Sequence, residues 1–115
     1  MKNLILIVVT LCSFSVFGQA QLNGTWNTGE DNTKIEISES ESQITGNIKS
    51  SDNPKAQIEK VILKDLKEEG NNWNGKIFAA KKQKWYEAVI TPKGNTLEIE
   101  ISVGFFSKTI EWTKI

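Results

Sequence analysis

The feature that most constrains the fold of this chain is a strict alternation of apolar and polar residues over positions 96–105. The apolar positions are Leu97, Ile99, Ile101, Val103 and Phe105, and the polar ones between them are Thr96, Glu98, Glu100 and Ser102. Successive side chains of a β-strand point to opposite faces, so a period of two is typical of a strand with one buried face. The segment is therefore predicted to be one long, half-buried strand that keeps Phe105 on its buried face.

Shorter copies of this alternation occur along the rest of the chain, at residues 35–37, 44–48, 73–79, 86–90 and 110–112. Segments rich in Gly, Pro, Asn, Asp and Ser separate them, and these residues favour turns. Only residues 56–69 also fit a helix, because Ile58, Ile62 and Leu66 recur at a spacing of four. Strand and helix both remain open for that segment.

A sheet that closes on itself buries one face and leaves no exposed edge. The alternation indicates seven or eight short antiparallel strands, for which a small up-and-down barrel is favoured over a sandwich. Gly46, Gly75 and Gly104 lie inside strand-like runs, where a missing side chain permits a bulge or a sharp bend. The predicted fold is an all-β barrel in a single domain.

The N-terminal segment has a different pattern. Lys2 precedes an almost uninterrupted apolar stretch, residues 4–17, and the small residues Gly18 and Ala20 follow. This is the layout of a secretory signal peptide, so residues 1–18 are expected to be removed and residues 19–115 to form the mature domain; cleavage after Ala20 is the alternative. The protein is expected in the periplasm or outside the cell, with no membrane span after cleavage.

Composition excludes several functions. The chain has 115 residues with 14 Lys, no Arg, 14 Asp plus Glu, one Cys and no His. Since histidine is the usual general base and the commonest metal ligand, a Ser-His-Asp triad and a histidine-built metal site are impossible. Near-zero net charge without the arginine guanidinium argues against a nucleic-acid partner. A monomer without cofactor or metal is expected.

The remaining catalytic candidates are carboxylate pairs and lysines. Glu98 and Glu100 share one face of a strand at about 7 Å, a separation that glycosidases use, but that face is the solvent one. Lys76 and Lys84 are more typical of exposed strand lysines that discourage edge pairing than of nucleophiles. We therefore expect no catalytic residue, and the protein is not predicted to be an enzyme.

Five short motifs occur in a characteristic order: Gly-Thr-Trp (24–26), Ile-Leu-Lys-Asp-Leu (62–66), Gly-Lys-Ile (75–77), Lys-Trp-Tyr (84–86) and Glu-Trp-Thr-Lys (111–114). In this order the chain resembles the bacterial Domain of Unknown Function 2147 family over about residues 22–115. Members are small exported proteins, so the resemblance implies compartment and fold more than chemistry. The chain departs from many relatives in lacking a cysteine pair in the 50–60 loop and an Asp-Pro turn before Tyr86.

A weaker similarity, to lipocalin-like barrels, rests on Gly24 and Trp26 in the first strand. In those barrels the Trp closes the bottom and a basic side chain of the last strand packs over its ring. The resemblance implies structural roles for Gly24, Trp26, Trp112 and Lys114, with Lys114 as the cation in a contact worth about 0.5–1 kcal/mol.

Adjacent aromatic residues are the remaining functional candidates: Trp85 with Tyr86, and Phe105 with Phe106. One ring of each pair must face outward or lie at a rim, because strand neighbours point to opposite faces. Continued alternation makes Phe106 the outward ring unless a bulge at Gly104 inverts the register. Pairing across the 92–95 turn would bring both aromatic pairs to one end of the barrel.

That end also carries the only basic cluster, Lys81, Lys82 and Lys84. A small apolar or amphipathic ligand, or a component of the cell envelope, is therefore predicted to bind there, with its apolar part on the rings and an anionic group on the lysines. The alternative interpretation is a protein-interaction or structural module of the envelope.

Overall fold

The computed structural model describes residues 22–115, so the predicted signal peptide lies outside the described residues. The described chain forms eight strands: β1 (Gly24–Asn27), β2 (Lys34–Ser40), β3 (Gln43–Ser50), β4 (Val61–Glu69), β5 (Asn72–Ala79), β6 (Lys84–Lys93), β7 (Thr96–Val103) and β8 (Phe106–Lys114). Between Leu22 and Ile115 no helix is long and apolar enough to cross a membrane.

Each strand pairs antiparallel with the next, and β8 pairs back to β1, which closes the barrel. The closing seam is short: Trp26 pairs with Lys114 and Asn27 with Thr113. A backbone hydrogen bond from the Ile115 amide to the Thr25 carbonyl, at 3.1 Å, extends it. The predicted all-β, up-and-down barrel is confirmed: every strand pairs with two neighbours, and the β3–β4 and β8–β1 ladders are the shortest, with two residue pairs each.

The sequence is compatible with either a strand or a helix over residues 56–69. In the structure this segment is a loop up to Lys60, followed by strand β4. Ile58, which a helix would have buried beside Ile62, is exposed in that loop. Within β4 the register against β5 shifts between Lys64 and Lys67, and Asp65 has a positive φ of 56°. Such a bulge bends the strand. Pairing with β5, and with β3 at Val61 and Leu63, gives interstrand partners to backbone groups that a helix would have paired internally.

Gly75 permits the bend of β4 to pack against β5. A Cβ at this position would overlap Cδ2 of Leu66 and lie 2.8 Å from the Lys64 carbonyl oxygen. No residue with a side chain fits there without displacement of backbone, so Gly75 makes room for the bulge of the neighbouring strand β4, while its own ladder with β6 is continuous.

The end of β7 differs from the prediction. The strand stops at Val103, and Gly104 and Phe105 form a two-residue turn that pairs Val103 with Phe106. Gly104 has a φ of 64°, which glycine adopts without steric cost and which suits a tight hairpin turn. Phe105 is consequently fully exposed at 108% relative accessibility, so its predicted place on the buried face is wrong.

The core lies toward the turns that join β2 to β3, β4 to β5 and β6 to β7. Its fully buried members include Leu22, Trp26, Leu97 and Ile99. The indole Nε1 of Trp26 donates a 3.0 Å hydrogen bond to the Leu22 carbonyl, and the Lys114 ammonium lies 5.5 Å from the centre of its ring. The contact that the lipocalin-like resemblance implied for Trp26 and Lys114 is present.

Candidate functional site

The two ends of the barrel differ in packing. We call the end that carries turns 41–42, 70–71 and 94–95 the closed end, and the end that carries segments 28–33, 51–60, 80–83 and 104–105 the open end. A cavity of about 980 Å³ enters the barrel from the open end. It reaches inward as far as Trp112, whose indole is buried and forms part of its floor.

The inner wall of the cavity is mainly apolar. Four alternate residues of β8 run along it from rim to floor: Phe106, Lys108, Ile110 and Trp112. The rest of the wall carries isoleucines from other strands, namely Ile35, Ile48, Ile62, Ile77 and Ile101. Ile101 is half-buried because it borders this space, so the barrel is not packed along its whole length.

The charged residues that line the cavity are predominantly cationic. They are Lys55, Lys60, Lys81, Lys82 and Lys108, against Glu30 and Asp31. Both ion pairs found in the described part of the chain, Lys49 with Glu36 and Lys93 with Glu98, lie elsewhere. The mouth therefore has a local excess of positive charge in a chain whose formal net charge is zero.

Hydrogen bonds order the loops around the mouth. The Asp52 amide donates to the Asp31 carbonyl at 2.8 Å, which ties the β3–β4 loop to the β1–β2 loop. The hydroxyls of Thr33 and Ser51 lie 2.8 Å apart and share a hydrogen bond. In the β5–β6 turn the Gln83 amide donates to the Ala79 carbonyl at 2.8 Å. These contacts give the rim a defined shape before any ligand arrives.

The structure brings only part of the predicted rim to the cavity. Tyr86, Phe106 and Lys82 line it, whereas Trp85, Lys84 and Phe105 do not. Phe106 is predicted to point outward unless the chain departs from regular alternation at Gly104. The chain turns at Gly104, so Phe106 pairs with Val103 and borders the mouth, where it remains exposed.

Trp85 lies on the outer face of the barrel, as the opposite orientation of neighbours in a strand requires once Tyr86 faces inward. Its ring meets that of Phe78 edge to face, with centroids 5.4 Å apart, and the Lys64 ammonium lies 4.1 Å above it. Lys60 covers Phe78 in the same manner at 4.4 Å. These contacts cover the outer side of β5 and β6 and give Trp85 a structural role.

Three lysines that line the cavity were not predicted from the sequence: Lys55, Lys60 and Lys108. The signal for Lys108 was available, since it alternates with Ile110 and Trp112 and therefore shares their inward face. Lys55 and Lys60 gave no such signal, because they belong to the β3–β4 loop, and local sequence does not show which loop residues face the mouth.

The carboxylate pair considered for catalysis lies on the outer face of β7. Glu98 accepts a 2.9 Å hydrogen bond from Lys93, and Glu100 accepts one from the Ser107 hydroxyl at 3.3 Å. Across residues 22–115 no group of three or more His, Cys, Asp or Glu side chains is arranged to hold a metal ion. The arrangement at the open end is suited to binding: an apolar wall with cations at its edge.

The fold and cavity define a small closed antiparallel barrel with one open end. The chain belongs to the family described as uncharacterized protein conserved in bacteria (DUF2147), whose sequence model matches residues 24–114. The match runs from the first residue of β1 to the last of β8, and it confirms the resemblance drawn from the five motifs. Comparisons with curated proteins and with solved structures return no match.

Proposed function

We propose that this protein is an exported, non-catalytic barrel that binds a small anionic amphiphile in its open end. The observation that carries the proposal is the cavity of about 980 Å³ with isoleucine walls and lysines at its mouth. Pockets for small molecules typically span about 300–1,000 Å³ and are mostly apolar with a few polar groups that orient the ligand. Export is supported by the pattern of residues 1–18.

The lining suggests how such a ligand would lie. Its apolar chain would pass Phe106 and Tyr86 and contact Ile101 and Ile110, because these side chains form the inner wall. Its anionic group would remain near the mouth, within reach of Lys108 and Lys82. A lysine ammonium recognises carboxylate and phosphate alike as a point charge, so the site selects for sign of charge more than for headgroup shape.

Titration with dodecanoate below its micellar concentration tests the proposal, with tryptophan fluorescence as the signal because Trp112 forms part of the floor. A saturable change is expected for the wild type. Dodecyltrimethylammonium, with a chain of the same length and the opposite charge, is expected to bind at least about tenfold more weakly, which corresponds to about 1.4 kcal/mol.

Two charge-reversal variants distinguish binding at the cavity from a nonspecific effect of the protein's net charge. Lys108→Glu is expected to weaken dodecanoate binding about tenfold and to reduce the preference for the anion. Lys67→Glu makes the same change of net charge on an exposed residue of β4 near the closed end, and it should bind as the wild type does. Equal thermal midpoints of the two variants would show that folding is intact.

No saturable change with either amphiphile up to millimolar concentration would refute ligand binding in the cavity and would leave a protein-interaction module as the better interpretation. Equal effects of Lys108→Glu and Lys67→Glu would refute the assignment of the anion site to the mouth. Mass spectrometry of natively purified protein would identify a ligand that remains bound through purification.

A further inference from the structure

Large exposed apolar side chains of the described barrel concentrate at its open end. They are Ile58 in the β3–β4 loop, Phe105 in the β7–β8 turn and Phe106 directly after it, with Ile115 at the opposite end as the fourth. Phe105 is the most exposed of them, and it is not part of the cavity lining. Its position is therefore not explained by the proposed ligand site.

The β7–β8 turn holds the Phe105 ring in solvent and does not let it pack back against the barrel. Strands β7 and β8 pair continuously from Thr96 with Thr113 to Val103 with Phe106, so the ladder reaches the residues next to the turn. The turn itself contains only Gly104 and Phe105. A two-residue turn on a fully paired hairpin has little freedom, and the ring is held out from the open end.

The same half of the rim is purely cationic. It consists of two segments, 79–84 and 103–108, which are the β5–β6 and β7–β8 turns with the adjoining strand ends. These segments contain no acidic residue and four lysines: Lys81, Lys82, Lys84 and Lys108. The acids of the mouth, Glu30 and Asp31, belong to the β1–β2 loop, across the mouth from the β5–β6 turn.

We propose that this half of the rim, segments 79–84 and 103–108, docks onto the surface of an anionic lipid bilayer. Phe105 would enter the headgroup region while the four lysines face the lipid phosphates. Aromatic rings and lysines are the residues that anchor proteins at membrane interfaces, and anionic lipids attract each nearby lysine. A protein partner would need about 800 Å² of complementary surface, whereas the large exposed apolar side chains of these two segments are limited to Phe105 and Phe106.

Docking and ligand binding reinforce one another but are separate claims. The docked orientation places the mouth of the cavity against the bilayer, from which an amphiphile would pass to Tyr86 and Ile101 without crossing water. Phe105 and Lys84 belong to the docking surface alone, whereas Lys81, Lys82 and Lys108 also line the cavity. Phe105→Ser therefore tests docking while it leaves the cavity intact.

Co-sedimentation with vesicles tests the proposal. Vesicles of phosphatidylcholine with about 30% phosphatidylglycerol are expected to bind the purified protein in about 50 mM salt, and binding should fall steeply as salt is raised. Pure phosphatidylcholine vesicles should bind it at least about tenfold more weakly. Phe105→Ser and the double variant Lys82→Glu with Lys84→Glu should each lower the partition coefficient about tenfold or more.

Ile115→Ser is the matched control, because it removes an exposed apolar side chain at the closed end, and it should bind vesicles as the wild type does. Equal binding of the two vesicle types, or a Phe105→Ser protein that partitions like the wild type, would overturn the proposal. Dodecanoate titration without vesicles keeps the two proposals apart: Phe105→Ser should retain ligand affinity even if docking is lost. Loss of vesicle binding in Ile115→Ser as well would also count against a docking surface at the open end.

Discussion

Truncation of two neighbouring inward isoleucines of β7 measures where the packed core ends and the cavity begins. Ile99 is completely buried, at 0% relative accessibility, and pairs with Ile90 and Ile110. Ile101, the next inward residue, is half-buried and lines the cavity. Alanine at the two positions removes the same atoms from the same strand face, so any difference in the loss of stability reports on their surroundings.

The expected magnitudes follow from burial. At about 0.8 kcal/mol per buried methylene, loss of Cγ1, Cγ2 and Cδ1 from Ile99 costs about 2.4 kcal/mol in transfer free energy. The space left behind adds about 24 cal/mol per Å³, so Ile99→Ala is expected to cost about 3–5 kcal/mol. Ile101→Ala should cost about 1–1.5 kcal/mol, since part of the side chain already contacts solvent and no sealed void forms.

Urea denaturation followed by tryptophan fluorescence provides the assay, because Trp26 and Trp112 are buried. Glu100→Ala, between the two isoleucines on the exposed face, is the control and should change the free energy of unfolding by less than about 0.5 kcal/mol. The urea slope should be the same for all variants if only the native state is affected. A cost of Ile101→Ala equal to that of Ile99→Ala would show that the open end is packed, which would refute both the cavity and the ligand site proposed there.

Two further predictions concern packing and processing. Gly75→Ala is expected to lower the free energy of unfolding by about 1–3 kcal/mol, because the new methyl group would displace Leu66 and press on the Lys64 carbonyl; a urea midpoint equal to that of the wild type would contradict this packing. Protein recovered from the envelope fraction is expected to begin at Gln19 or Gln21 on N-terminal sequencing, since the signal-peptide pattern ends at Gly18 to Ala20. An intact Met1 would contradict cleavage.

The alternation of residue types was sufficient to predict most of the strands and the closed barrel, although it left β4 open between strand and helix. The alternating segments each have one apolar face, and a sheet that closes on itself buries these faces together. The order of the five motifs was sufficient to predict the family, and the motifs lie in β1, β4, β5, β6 and β8 of this barrel. The contact between Trp26 and Lys114 was implied by the lipocalin-like resemblance.

Alternation did not predict where a strand stops or how deeply an inward residue is buried. Phe105 continues the apolar alternation of β7 in the sequence, yet the chain turns at Gly104, before Phe105. The positive φ of Gly104 that permits this turn cannot be read from the alternation of apolar and polar residues. Residues 56–69 became a loop and a strand because β3 and β5 offered backbone partners on both sides, which is a tertiary contact. Intrinsic preferences are overridden by such contacts.

The sequence by itself thus determined which face of each strand is apolar, because side-chain direction alternates along any strand. Only the tertiary structure decided that Ile99 is packed and that Ile101 lines a cavity. The burial of an inward side chain depends on which side chains the other strands place at the same height along the barrel axis. The tertiary structure also brought Lys108 of β8 to the same mouth as Lys55 and Lys60, which lie about fifty residues earlier in the chain. Residues so far apart in the chain meet only when the barrel closes, because the pairing of β8 with β1 brings the loops of the first and last strands to the same mouth.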